Sequence, residues 1–158
     1  MNSSTRHPAL RRARRSRRCG GFTLIETMVT IGIAGVLSSV AYPSLEGQVM
    51  RARRTDALVA LMQAQLAQER FRANNAGYGS LADTGARATS PSGHYRIEVV
   101  SAGAAGYELL ASAVAGQGRD ASCRHLRLAL VDATLVYGSG NDATTSNPAA
   151  ANRACWSR

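Results

Sequence analysis

The sequence predicts an α+β fold: a long N-terminal helix packed on a four-stranded antiparallel β-meander. Residues 22–74 read as helix throughout, apolar in the first half and amphipathic in the second. Short apolar-rich segments then follow one another from residue 95 to residue 138, broken by Gly-, Ala- and Asp-containing links. A run of helix followed by a run of strands is the pattern of segregated α+β architectures. A third observation orients the chain. Its basic charge is concentrated just before the apolar run, in RRARRSRR, so that run reads as a membrane span with its basic flank inside.

The 158 residues can hold one compact domain and an extension. The net charge of +9 raises the question of nucleic acid, but its distribution narrows it. Seven of the 19 arginines fall in residues 1–21, where there is no acid, and the remainder carries 12 arginines against 10 carboxylates. Basicity is therefore a property of the leader more than of the domain. Of the three cysteines, Cys19 belongs to the leader. Its removal leaves Cys123 and Cys155 as one possible disulfide, which suits an exported protein.

From Phe22 to Tyr42 the chain reads FTLIETMVTIGIAGVLSSVAY. As a helix this is roughly 31 Å, enough to cross the hydrocarbon core of a bilayer. A secretory signal would carry its small-residue cleavage site after the apolar run. Here Gly20 and Gly21 come before it, so cutting there removes the charges and leaves the helix as a permanent anchor. Glu26 is the anomaly, because a carboxylate within a membrane helix costs several kcal/mol unless it is paired or close to the interface. One reading has it snorkel near the helix start. The other pairs it with a cation: the α-amine of Phe22 exposed by cleavage, one turn away, or the same amine of a neighbouring subunit.

These residues carry a family resemblance. GFTLIE, with its basic leader and apolar run, resembles the prepilin processing motif of type IV pilins and of the related type II secretion pseudopilins. The resemblance implies that prepilin peptidase cuts after Gly21 and methylates Phe22, that Glu26 is the acid used in assembly, and that Pro43 is the helix-kinking proline of many type IV pilins. It implies the type IV pilin fold, with a cleaved leader at 1–21, a transmembrane and assembly helix at 22–43, an amphipathic half at 44–75 and a globular remainder at 76–158. It also implies an inner-membrane precursor with a cytoplasmic leader, then a place in a surface fibre. The implied partners are other pilin subunits and the inner-membrane assembly platform. The 21-residue leader is longer than those common in the type IVa group, and a translation start downstream of Met1 accounts for that.

Beyond Pro43 the helical pattern persists. Val49, Ala52, Val59, Met62, Leu66 and Ala73 recur at helical spacings and predict the stripe that faces the core. Arg51, Arg53 and Arg54 fall largely off it, on a solvated face. Pro43 should bend the helix or open a short unwound stretch.

NNAGYGS stops the helix, and residues 75–94 read as an irregular connector. Alternation predicts strands at 95–100, 107–114, 125–132 and 134–138, with a tight turn at Asp132-Ala133. Residues 139–154 read as a tail of little apolar content, which a Cys123–Cys155 bond would hold to the domain, with Trp156 as a plug over the edge. Many type IV pilins have a similar C-terminal disulfide-bounded segment.

No constellation of catalytic type stands out. His94 and His125 lie in a loop and at a strand edge, and Ser139 in YGSGN has no nameable base and orienting acid. Asp142 is a single loop acid, a weak sign of a calcium site. The reading is therefore a non-enzymatic structural subunit without cofactors, a minor pilin of a type IV pilus, serving assembly, adhesion, motility or DNA uptake. A secretion pseudopilin and a DNA-binding competence pilin are the alternatives. For the last, Arg119, Arg124, Arg127, Arg153 and Arg158 gather loosely around the disulfide-bounded region and offer a DNA or surface ligand site.

Overall fold

The computed structural model describes residues 21–156, with the helical backbone alone described at Tyr42, Pro43 and Ser44. The chain separates into two units, one ending at Ser39 and one beginning at Val40. Helix α1 is assigned from Leu24 to Arg72 without interruption. Of the two outcomes expected at Pro43, a bend or a short unwound stretch, the unwinding does not occur. A proline removes one backbone hydrogen bond, and the helix continues past it on either side.

In the second unit α1 buries a face different from the one its larger apolar residues suggest. Ala57, Leu58, Ala60, Leu61, Ala64 and Gln68 are buried, whereas Val49, Val59, Met62 and Leu66 are 39–50% exposed. Both sets recur at spacings of three and four, so periodicity alone cannot choose between them. The sheet chooses. Its inner face carries Tyr95, Ile97, Leu109, Leu126 and Leu128, all nearly inaccessible to solvent, and these bulky groups leave room for a helix face made largely of alanine.

The segment after α1 is short on regular structure and well anchored. A single-turn helix, α2 (Leu81–Thr84), is started by a reciprocal capping box between Ser80 and Asp83, and Gly85 ends it in the left-handed conformation at φ +67°. Gln68 clamps this segment to α1 by donating to the Gly79 carbonyl at 2.6 Å and accepting from the Gly79 amide at 3.0 Å. Asp56 clamps it again, accepting from the Ser90 hydroxyl and from the amides of Ser92 and His94.

Strands β1 (Tyr95–Ala102), β2 (Tyr107–Ala113), β3 (His125–Val131) and β4 (Thr134–Gly140) form one antiparallel sheet in the order β1-β2-β3-β4. The β3–β4 turn is a two-residue hairpin with both central residues at positive φ, Asp132 at 48° and Ala133 at 60°. That is the hand that matches strand twist. Gly106, opening β2, lies against β3 so closely that a Cβ there would meet the Leu130 carbonyl oxygen at 2.0 Å. Two 3₁₀ turns, Ala115–Arg119 and Ala121–Cys123, join β2 to β3.

The C-terminal segment is more ordered than its composition suggests. It ends in a helix, α3 (Ala149–Trp156), and the Cys123–Cys155 disulfide is formed with a Cα–Cα distance of 5.6 Å. Asn152 donates to the Tyr137 carbonyl at 2.8 Å and the Trp156 indole to the Gly138 carbonyl at 3.0 Å, which fixes α3 beside β4. Trp156 also packs edge-on against Tyr137, the plug that its position predicts. Just before α3, Thr145 crosses over Gly138 and Gly140. A Cβ on either glycine would meet Thr145 at 2.9 Å, so a larger residue there would lift the crossing segment.

Candidate functional site

Two regions have surface chemistry beyond the needs of the fold: the bare N-terminal stem and the arginine-bearing flanks of the domain. The stem is the segment Leu24–Ala41, long and apolar enough to cross a membrane and not buried anywhere along its length. Leu24, Ile25, Met28, Ile31, Val36 and Val40 all present more than 60% of their surface. Such a helix is stable only in lipid or against other helices. Its hydroxyl groups are already satisfied within the helix. Thr27 donates to the Thr23 carbonyl, Thr30 to that of Glu26 and Ser38 to that of Ala34, at 2.6–3.1 Å. Hidden hydroxyls of this kind remove a cost of apolar surroundings.

Gly21 and Phe22 precede α1, and Phe22 is 84% exposed. Glu26 sits in the first turn of α1, where the positive end of the helix dipole favours a carboxylate. Its amide is capped by the Thr23 hydroxyl at 3.3 Å. Among the described residues no cation lies within ion-pair distance of its carboxylate. Pro43 is placed inside α1, between the stem and the half that packs on the sheet.

At the other end of the chain, the arginines anticipated as one cluster divide into different roles. Arg119 pairs with Glu46 at 3.0 Å and Arg127 with Glu108 at 3.4 Å, so both are locally neutralised. Arg124 donates to the Gly118 carbonyl and has no carboxylate partner among the described residues, and Arg153 is exposed on α3. Since Cys123 and Cys155 are joined, Arg124 and Arg153 flank the disulfide. Arg158 lies outside the described residues. Arg54, assigned to a solvated face from its sequence position, is instead largely buried. It forms a two-point ion pair with Asp120 at 2.7 and 2.8 Å, while Gln117 bridges the Asp120 carboxylate, the Tyr95 phenol and the Met50 carbonyl. Burial pushes the Tyr95 phenol up to about 12 despite the Gln117 hydrogen bond. This network ties α1 to the 3₁₀ turns that lead into Cys123. Nothing in the sequence pattern announced it, because a buried glutamine and a long-range Arg–Asp pair have no periodicity.

The loop acid and the histidine near the disulfide edge are engaged internally. Asp142 accepts from the Thr144 amide and hydroxyl, which hold its carboxyl below the usual range. His125 contacts the Ser112 hydroxyl at 3.0 Å, and burial together with Arg124 lowers its pKa. Among the described residues no group of three or more His, Cys, Asp and Glu is placed to hold a metal ion.

A long helix laid over an open four-stranded antiparallel meander, with its apolar N-terminal half left bare and a disulfide closing the C-terminal edge, is the architecture of type IV pilins. The model for the prokaryotic N-terminal methylation motif matches residues 16–42. The chain belongs to the family described as type IV minor pilin ComP, DNA uptake sequence receptor, whose model matches residues 43–127, more than half of the sequence. No curated protein matches it. The family is one of filament subunits, so the protein is a minor pilin with a membrane-spanning helix and not an enzyme. The match ends before β4, and the disulfide-bounded tail lies beyond it.

Proposed function

We propose that this minor pilin is a DNA receptor carried on a type IV pilus. In this reading prepilin peptidase cuts between Gly21 and Phe22 and methylates the new N-terminus. The processed stem then leaves the membrane for the filament, passing through the inner-membrane assembly platform. Glu26 pairs with the N-terminal amine of a neighbouring subunit, which neutralises both charges within the packed stems. Pro43 marks the passage from stem to domain. The leader faces the cytoplasm and the domain the periplasm, a reading that the arginines ahead of the span support.

The observation that carries the DNA reading is the presence of arginines without a carboxylate partner among the described residues, on a domain whose family is described as a DNA uptake sequence receptor. Arg124 and Arg153 beside the disulfide are the first contacts assigned to phosphate. Guanidinium groups bind phosphate in two-point geometry and keep their charge at any physiological pH.

The test uses the full processed chain in neutral detergent, with binding to a labelled duplex followed by fluorescence anisotropy from low to moderate salt. Phosphate contact gives an affinity whose logarithm falls linearly with the logarithm of salt concentration, by about 0.9 per phosphate neutralised. Substituting Arg124→Gln and Arg153→Gln together should lower that slope by about 2. A wild-type chain that leaves the duplex free at the lowest salt sinks the DNA reading. The assembly half is checked separately, by intact mass and by the presence of the chain in sheared filaments. Glu26→Gln should still be cleaved, yet be depleted from filaments.

A further inference from the structure

The part of α1 just past the membrane-spanning segment carries a second cationic feature. Between this part of the helix and the 3₁₀ turn Ala115–Arg119 lies a groove of about 240 Å³. Leu45 and Val49 line it, and both are exposed. Arg53 from the helix and Arg119 from the turn line it as well. A Cβ on Gly116 would lie 3.9 Å from Arg53 Nη1 and 4.0 Å from Arg119 Nη2, so the glycine leaves open a point on which both guanidinium groups converge. The two nitrogens therefore stand no more than about 8 Å apart, a gap that one phosphate bridges through opposite oxygens at ordinary charge-assisted distances.

We propose that this groove holds the headgroup of an anionic phospholipid in the leaflet on the domain's side of the membrane. Arg53 and Arg119 take the phosphate, and Leu45 and Val49 lie along the upper acyl chain. Charge favours the assignment. The one acid that lines the groove, Glu46, pairs with Arg119 at 3.0 Å, and Arg53 has no carboxylate partner among the described residues. Asp120, next to Arg119 in the chain, is already taken by Arg54 at 2.7 Å. Arg51 is exposed close by and also lacks a carboxylate partner among the described residues. The patch is thus cationic and apolar together, which is the chemistry of a phospholipid and not of a free anion.

The chain itself brings the groove to a bilayer. The membrane-spanning segment ends at Ala41, and Leu45 follows within the same helix, a rise of about 6 Å. Residues 27–45 carry no charged side chain, close to the length a helix needs to cross the hydrocarbon core. Glu46 is the first charged residue after that run. A span that keeps Glu46 out of the hydrocarbon leaves Leu45 at its edge and Arg53 about 12 Å further along the helix. Helical side chains start back toward the N-terminus, here the membrane side, and the long arginine stem returns the guanidinium toward the depth of the phosphates. The contact belongs to the membrane stage of the subunit. It rests on the spanning helix and is independent of the DNA reading.

The experiment places single copies of the full processed chain in lipid discs of phosphatidylcholine with a minority of phosphatidylglycerol. The intact chain is then weighed with the lipid it retains on gentle release. Circular dichroism and the mass of the disulfide-bonded chain establish that each variant is folded. Phosphatidylglycerol should be retained about fivefold above its share of the disc, the factor that one cation near an anionic surface supplies. Arg53→Gln with Arg119→Gln should bring the retained lipid to within about twofold of the disc composition, while Arg87→Gln, on the loop after α2, leaves the enrichment unchanged. Arg53→Lys with Arg119→Lys should keep most of it, because the charges remain. A folded Arg53→Gln/Arg119→Gln variant with wild-type enrichment overturns the site, and so does a wild-type chain that retains the two lipids in proportion. Replacement of the lipid by a phosphate adduct in millimolar inorganic phosphate assigns the groove to a free anion and overturns the lipid reading. Enrichment confined to discs that carry two copies assigns it to a contact between subunits and overturns it equally.

Discussion

Breaking the Cys123–Cys155 bond should uncouple the C-terminal edge from the sheet and lower the stability of the whole domain. The sequence separation of 32 sets the size of the effect. Closing a loop of that length removes roughly 12 cal/mol/K from the unfolded chain, or about 3.7 kcal/mol at 25 °C. For a domain of this size each kcal/mol moves the melting temperature by about 3–5 °C, so Cys123→Ala with Cys155→Ala should melt about 10–20 °C lower. The hydrogen bonds from Asn147, Asn152 and Trp156 to Ser122, Tyr137 and Gly138 remain available, and the tail should stay docked at low temperature. The assay is thermal unfolding of the full chain in detergent by near-ultraviolet circular dichroism, with and without reductant. Hydrogen exchange should show residues 141–156 opening first in the double variant. A melting temperature within 2 °C of wild type would refute the reasoning, since the loop would then close at no entropic gain.

Other expectations follow from single contacts. Gly106→Ala places a methyl group on the Leu130 carbonyl oxygen and should cost about 3 kcal/mol in chemical denaturation; a change below about 0.5 kcal/mol would show that the β2–β3 approach is loose. Gln68→Ala strands the Gly79 amide and carbonyl in a buried setting, and should cost about 2–5 kcal/mol while speeding proteolysis between residues 73 and 94. The folded state holds His125 neutral, with a pKa below its ordinary 6.5, through burial and Arg124 against the weaker pull of Asp142 and Glu98. Stability from this group is full above pH 6.5 and declines as pH falls through 6.5 toward the folded value, where the loss levels off. His125→Asn, measured by melting at pH 5 to 8, should flatten that window, and an unchanged profile would assign the dependence to another group.

Much of this architecture is legible in the amino-acid sequence. All four strands lie within two residues of their expected ends, because each alternates on a single core and is closed by a turn residue. Asp132-Ala133 is the hairpin turn expected of it, and the cysteine pair is the only one that leader removal leaves. The buried face of α1 is not legible. The pattern 57-61-64-68 is written in alanine and glutamine, and the larger residues Val59, Met62 and Leu66 overshadow it at the same spacing. α3 also escapes notice, since AAANRACW has good helix formers but no apolar stripe, and its hold on β4 comes from Asn152 and Trp156 hydrogen bonds. The site divides similarly. GFTLIE marks the stem by itself, whereas the arginines can be sorted into paired and unpaired only when their distant partners, Glu46, Glu108 and Asp120, are in place.

Each edge strand of the sheet is bridged at one point by the chain's own backbone. Thr89 bridges Arg96 along β1, and Ser146 bridges Ser139 along β4. A filament holds its subunits at a crowding that few soluble proteins meet, and a free strand edge under those conditions is a template for adding strands from the next molecule. Where these bridges lie the edge is already taken, and β-addition between copies is hindered there. The disulfide then protects solubility as well as stability. A chain that fails to oxidise loosens the segment over β4 and offers its neighbours a strand edge to copy, which makes reduced subunits the ones most prone to clump.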